Sequence, residues 1–349
     1  MPIVWSDRHR LHEPGGEVWV GVRTPGTELP ERAERIRAEL ERTGASIVPA
    51  REQPDEVALR LHDPALVRYL ASAWDEWLAA GLDEDPGQDR VVPYVFPHPG
   101  LLDGIPPAEP AVATARAGRF AYDTMTLIGP GTWAAARAAL DVAITAAELV
   151  LEGGRAAYAI CRPPGHHATR TAFGGSCYLA NAATAAARLR DEHASVAVVD
   201  IDAHHGNGTQ SIFYEDPAVL TGSVHVDPEA GWFPHFIGLA DETGAGPGEG
   251  ANRNVPLPPG SGDGPWLEAV GELARWAGSA DALVVALGVD AAGGDPESPL
   301  EVTADGYRGA GRALGALGLP TVLVQEGGYE LDTIGPLVAA ALEGFEAAG

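Results

Sequence analysis

The sequence predicts an α/β fold. Its core is a central, mostly parallel β-sheet of about eight strands with helices on both faces, in one domain over residues 1–349. Three observations predict it. From Ala156 onward, short apolar runs of strand length alternate with longer helical stretches. Several of these runs end in Asp, His or Gly, and sites in such sheets lie beyond the carboxyl ends of the strands. The chain has 349 residues, 45% of them hydrophobic, enough for a sizeable core.

The elements follow in order. Glu28 to Thr43 predicts an amphipathic helix with Ile36 and Leu40 on one face and Gly44 as its stop. Ala45 to Val48 is a short strand. Pro64 to Ala80 is a helix carrying Leu66, Tyr69, Leu70, Trp74 and Trp77. Residues 81–120 break the pattern: rich in Pro, Gly and Asp, with scattered aromatics, they predict a lid, binding loop or interface loop. Thr132 to Glu152 is an Ala-rich helix ended by Gly153-Gly154. Then come a strand from Ala156 to Cys161, a helix from Cys177 to Arg190, and strands from Ser195 to Ile201 and Val219 to His225. A helix from Trp266 to Ala277, a strand from Ala282 to Gly288, a helix from Ala304 to Leu317, a strand from Pro320 to Gln325 and a helix from Leu331 complete the chain.

Charge narrows the partners. The formal net charge is -26 and every basic side chain is Arg. Such a surface disfavours nucleic acid and anionic membranes, and would steer a cationic substrate inward. Cys161 and Cys177 form no disulfide framework and suit a reducing cytoplasm as buried packing residues. The N-terminus lacks the pattern of a signal peptide, and no apolar run is long enough to span a bilayer.

The most informative stretch is Asp200-Ile-Asp202-Ala-His204, continuing through His205-Gly206-Asn207-Gly208. It closes a buried strand, and strand alternation would put Asp200, Asp202 and His204 on one side. Two carboxylates and an imidazole at such a place are destabilising unless a cation joins them, and a divalent metal satisfies that requirement. Other strand ends carry Arg162-Pro-Pro-Gly-His166-His167, Ser223-Val224-His225, Gly288-Val-Asp290 and Glu326-Gly-Gly-Tyr329. Each alone has an ordinary reading: a satisfied histidine pair, a helix cap, a core tyrosine. Together on one rim they predict a catalytic site.

These residues and spacings resemble the arginase/deacetylase superfamily and, within it, the zinc-dependent histone deacetylase family. The likeness runs from about Ala121 onward in the family's order. It is nearest to bacterial acetylpolyamine amidohydrolases and class II deacetylases: Asn207 stands where class I has Asp, and Glu326-Gly-Gly-Tyr329 replaces an all-Gly run. Gln210 to Tyr214 and Pro256 to Pro258 also look like the polyamine group. The resemblance implies Asp202, His204 and Asp290 as zinc ligands, an open three-ligand set. Oxygen-rich ligation also admits iron(II) or cobalt(II). It implies His167 as general base and then acid, contacting Asn207, and His166 as its electrostatic partner, oriented by Asp200. Tyr329 would donate to the oxyanion. A structural potassium or sodium ion would sit at Asp200, Asp202, His204, Ser223 and Val224, and a second at Phe213, Asp216 and Val219.

The same resemblance implies a tunnel lined by Gly175 and Phe233, with Trp232 and Tyr329 nearby. Ser176 stands where a tunnel-wall aromatic is common, which would widen or wet the channel, and Ala292 points the same way. Glu109 and Asp103 are candidates to meet the distant ammonium groups of a polyamine. The resulting expectation is a cytoplasmic, metal-dependent amidohydrolase acting on a small cationic acylated amine. The alternatives are a protein lysine deacylase, a two-metal ureohydrolase and a ligand-binding relic. The segment 81–120 would help form a homodimer.

Overall fold

Every apolar run predicted after residue 155 is a strand, and all lie in one sheet. The computed structural model describes residues 1–85 and 87–349, so Pro86, inside the predicted irregular segment, lies outside the described residues. The chain begins with β1 (Pro2–Trp5), a hairpin of β2 (Glu17–Trp19) and β3 (Val22–Thr24), α1 (Pro30–Arg42) and β4 (Ser46–Pro49). Next come α2 (Pro64–Ala79), the short α3 (Pro99–Leu102), α4 (Ala113–Phe120) and α5 (Thr132–Leu151). The second half runs β5 (Ala156–Ala159), α6 (Asn181–Leu189), β6 (Val196–Asp200), α7 (Asn207–Phe213), β7 (Val219–Val226) and β8 (Asn252–Leu257). It ends with α8 (Asp263–Ala277), β9 (Ala282–Leu287), α9 (Ala304–Gly315), β10 (Thr321–Gln325) and α10 (Ile334–Ala347).

Among the described residues the main sheet has eight strands in the order β4-β1-β5-β10-β9-β6-β7-β8, every adjacent pair parallel. The strands that carry the motifs are therefore neighbours, and their carboxyl ends share one rim. Strand alternation divides the core. Ala197, Val199, Leu283, Val285 and Leu323 face a cluster with Trp266, Tyr307 and Phe345 from α8, α9 and α10. Val196, Val198, Val284, Val322 and Val324 face the other way, against Ala139, Ala143, Ala183 and Ala186 of α5 and α6. The alanines let those two helices lie close to the sheet. Each fully buried Val or Leu contributes about 1.5–3 kcal/mol.

Several elements differ from expectation. β1 and β8 were not anticipated: β1 has four residues, and edge strand β8 is Asn252-Arg-Asn-Val-Pro-Leu257, polar with an internal Pro. The helix expected from Cys177 begins only at Asn181, because Gly174 and Cys177 exchange backbone hydrogen bonds in a tight turn first. Segment 81–120 contains α3 and α4, the latter burying Phe120 beside Tyr69, their ring centroids 4.7 Å apart.

Candidate active site

β6 stops at Asp200, so hydrogen bonds rather than the strand pleat aim the residues beyond it. Asp200 Oδ1 accepts the Asp202 N–H at 3.0 Å, and Asp202 Oδ1 accepts the His204 N–H at 2.9 Å. Asp200 is thereby directed to His166, while Asp202 and His204 turn to Asp290, which follows the end of β9. His204 Nδ1 lies 3.0 Å from Asp290 Oδ2 and 3.2 Å from Asp202 Oδ1. The ligand atoms of the three residues all lie within 4.8 Å of one another. Backbone closes around them. A Cβ on Gly288 would stand 2.0 Å from Asp202 Oδ2, and one on Gly327 would stand 2.4 Å from Asp290 Oδ2. Gly327 donates its N–H to Asp202 Oδ2 at 2.7 Å.

The charges test whether this trio suits a cation. Burial raises the Asp290 pKa to about 7, and the Asp202 carboxylate adds to that. Burial works the same way on Asp202, but His166 and His204 outweigh it and hold it ionised. Two fully buried carboxylates thus share one imidazole, the donor set that a divalent cation with an open face takes.

The His166–His167 pair reaches the trio from the turn after β5. The ring centroids are 4.0 Å apart. His166 Nδ1 meets Asp200 Oδ2 at 2.9 Å, and His167 Nδ1 meets Asn207 Oδ1 at 2.6 Å. The turn is held from three sides. Glu326 Oε2 accepts the N–H groups of Gly165 and His166 at 2.6 and 3.1 Å, Gly208 donates to His166 O, and the Tyr122 hydroxyl donates to His167 O. Burial disfavours the His166 imidazolium, but Asp202 and Asp200 overcome it and raise the pKa to about 10. Burial together with His166 and His204 pushes His167 well below the ordinary range.

Tyr329 closes the site. Its N–H donates to Asp295 Oδ2 at 2.7 Å, and the Arg32 guanidinium lies 4.5 Å from the centre of its ring. Arg32 also donates to Glu326 O at 2.6 Å, so it holds the whole loop. Burial raises the Tyr329 phenol well above its ordinary pKa, which keeps its proton available for donation.

A cavity of ≈ 440 Å³ opens onto His167, His204 and Tyr329, with Gly175, Ser176, Trp232 and Phe233 on its wall. The Phe233 ring packs edge-on to His167 at 4.9 Å. Gly175 and Ser176 have φ of 56° and 61°, a conformation held by Asp123 Oδ2 accepting the Gly175 N–H at 2.6 Å and Thr126 Oγ1 accepting the Ser176 N–H at 2.9 Å.

Two expectations are corrected. Glu109 is not on the cavity wall: its carboxylate is 3.1 Å from the Arg116 guanidinium, which also holds Glu76. Asp103 ends α3, and Ala292 is buried in the core; neither reaches the cavity. The acids that do line it are Glu17 and Glu297. Thr27 joins them, its hydroxyl donating to Glu297 Oε1 at 2.7 Å and its N–H to Glu17 Oε1 at 3.4 Å. Burial first, then Glu297, raises Glu17 to about 7. The β2–β3 hairpin that carries Glu17 and Trp19 was missed; Val20-Gly21 between two short alternating runs was its signal.

The proposed cation residues fall in two places. Asp200 and Ser223 are paired in register across β6 and β7, beside buried Val224. Phe213, Asp216 and Val219 form the turn from α7 to β7, where Asp216 N–H donates to Phe213 O and Val219 N–H to Asp216 O. No helix among the described residues is long and apolar enough to cross a membrane.

Known proteins resemble this chain in sequence and in fold. Residues 27–345 match the family model described as the histone deacetylase domain. Acetylpolyamine amidohydrolase 1 of Pseudomonas aeruginosa is 41% identical over 100% of this chain and 99% of its own. The acetylpolyamine amidohydrolase of Mycoplana ramosa is 40% identical over 99% of both chains. The crystal structure of acetylpolyamine aminohydrolase from Burkholderia pseudomallei superposes with a TM-score of 0.92 at 38% identity, covering 100% of this chain and 99% of that one. On that similarity and on its fold, the chain belongs to the histone deacetylase family.

Proposed function

We propose that the enzyme hydrolyses the N-acetyl amide of an acetylpolyamine, releasing acetate and a cationic amine. The observation that carries this reading is the pair Glu17 and Glu297 on the wall of the cavity that also exposes His204 and Tyr329. Among the described residues neither carboxylate is ion-paired within the chain, so both are available to an ammonium group on the substrate. The full-length relatives named for acetylpolyamines support the same substrate class.

Asp202, His204 and Asp290 would hold the metal, which we assign as zinc, with iron(II) or cobalt(II) compatible with the oxygen-rich set. A bound divalent ion would polarise the amide carbonyl and acidify the attacking water. His167, neutral and with Nδ1 on Asn207, presents Nε2 to take the proton from water and pass it to the leaving amine. His166 remains positively charged against Asp200. Tyr329 donates its hydroxyl to the developing oxyanion. A potassium or sodium ion at Asp200, Asp202, His204, Ser223 and Val224 would brace the strand ends, with a second in the turn of Phe213, Asp216 and Val219.

The test is kcat/KM on acetylputrescine, acetylspermidine and an acetyl-lysine peptide. The amines should be preferred. A peptide that outcompetes both would favour a protein lysine deacylase instead. We also infer pairing with a second copy through segment 81–120, which exposes Tyr94, Leu101, Ile105 and Val112. Sedimentation of the wild type against Leu101→Glu tests it, and a monomeric wild type would refute it.

A further inference from the structure

Behind the catalytic histidines lies a second cluster of ligating side chains. One ligand atom each from His166, Cys177 and Glu326 lie within 4.8 Å of one another, and none of the three residues lines the cavity. Their exposures are 3%, 0% and 0%. Glu326 uses Oε2 on the Gly165 and His166 N–H groups, but its Oε1, fully buried, has no hydrogen-bond partner. Buried carboxylate oxygens are seldom left without a donor or a cation. A carboxylate oxygen of Glu326 lies within 4.8 Å of the Cys177 sulfur, and thiolate, imidazole and carboxylate together form a donor set for zinc and other thiophilic ions.

We propose that His166, Cys177 and Glu326 form a second, inhibitory site for a thiophilic divalent cation, separate from the trio of Asp202, His204 and Asp290. Binding involves no redox change. The Cys177 S–H bond and one N–H bond of the His166 imidazolium break, both protons leave to solvent, and the freed sulfur and nitrogen pairs go to the metal. Burial next to Glu326 keeps the free thiol protonated, so the ion itself must drive that loss. Inhibition follows from whichever ring nitrogen is used. Capture of Nδ1 breaks the 2.9 Å contact with Asp200. Capture of Nε2 occupies the nitrogen that stands 3.8 Å from Asp202 Oδ1. Because all three side chains are buried, inhibition should develop slowly after mixing.

The inhibitory effect rests on the role given to His166 in the proposed function; the binding does not. The test is cadmium titration of the holoenzyme, with catalytic metal content measured throughout. Expected are a second bound equivalent, an ultraviolet thiolate-to-metal band and time-dependent loss of turnover. Cys161→Ala should keep all three. Cys177→Ala should lose the band and the second equivalent, and its own turnover should no longer respond to cadmium. Glu326→Gln, folded by circular dichroism, should weaken the second equivalent by about 10–100-fold. Tyr329→Phe should still show the band, which separates a failed site from a failed reading of catalysis. No band in the wild type, or undiminished inhibition of Cys177→Ala, overturns the proposal.

Discussion

His167 rests its Nδ1 on the amide oxygen of Asn207 at 2.6 Å, whereas the adjacent His166 rests its own on the carboxylate of Asp200 at 2.9 Å. An amide oxygen fixes the tautomer, with the proton on Nδ1, but adds no charge to stabilise imidazolium. Burial disfavours the charged form of both rings; Asp202 and Asp200 overcome it at His166, while His166 and His204 reinforce it at His167.

Asn207→Asp should narrow that asymmetry. A carboxylate on His167 would raise its pKa. A general base works when deprotonated, so activity is lost as pH falls through its pKa. A raised pKa moves that loss to higher pH. The acid limb of the kcat/KM profile should therefore shift upward in the variant. An unmoved acid limb in a folded, active variant would place the base elsewhere.

Glu17→Gln should raise KM for acetylspermidine with little change in kcat, because the carboxylate binds the distant ammonium and not the reacting amide. In the wild type, burial followed by Glu297 holds Glu17 at about 7. Below that pH it is protonated and binding a cation must expel the proton, so affinity for cationic substrates should improve as pH rises through about 7. The variant should lose this dependence, as should a neutral acetylated amine on the wild type. Equal KM values for wild type and variant would remove Glu17 from recognition.

The reaction was more legible in the sequence than the substrate. Asp202, His204, Asp290, His166, His167 and Tyr329 sit at the ends of apolar strands, and a parallel sheet brings such ends together whatever the loops do. Recognition depends instead on contacts between distant segments. Thr27, already bonded to Glu17, reaches Glu297 across 270 residues, and no periodicity records such a pairing. Glu109 misled for the complementary reason: an acid in an irregular segment is only as available as its nearest guanidinium allows, and Arg116 is seven residues away on α4. Edge strand β8 escaped because one flank is unpaired and its residues need not be apolar.

Glu28→Gln should destabilise the protein by about 3–5 kcal/mol, since it strands two buried guanidiniums. Arg162 Nε and Nη2 bond its two oxygens at 2.8 and 2.9 Å, and Arg32 Nη1 reaches Oε1 at 2.8 Å. Burial pushes the Glu28 pKa up, but Arg162, Arg32 and His12 hold it down at about 2, against an ordinary value of 4.5. For a depressed carboxylate the stabilisation is complete above the ordinary value and fades as pH falls from there towards about 2. Urea unfolding across that range should show the wild type converging on the variant. Breaking the exposed pair Arg253–Glu272 should change little by the same assay.

Tyr329→Phe isolates the oxyanion contact, because the ring can keep its packing while the hydroxyl is removed. Arg32 lies over the ring and bonds Gly328 O and Glu326 O, so the loop is held by groups that the substitution spares. The Asp295 contact is to the Tyr329 backbone N–H and is spared too. Metal content should therefore match the wild type, and KM should move little. Turnover should fall by roughly tenfold to a thousandfold, the usual range for losing one oxyanion donor. Measured on acetylspermidine, full turnover by the variant would mean that the hydroxyl does not stabilise the transition state. Depleted metal would mean instead that the loop supports the ligand trio, through the Gly327 N–H on Asp202.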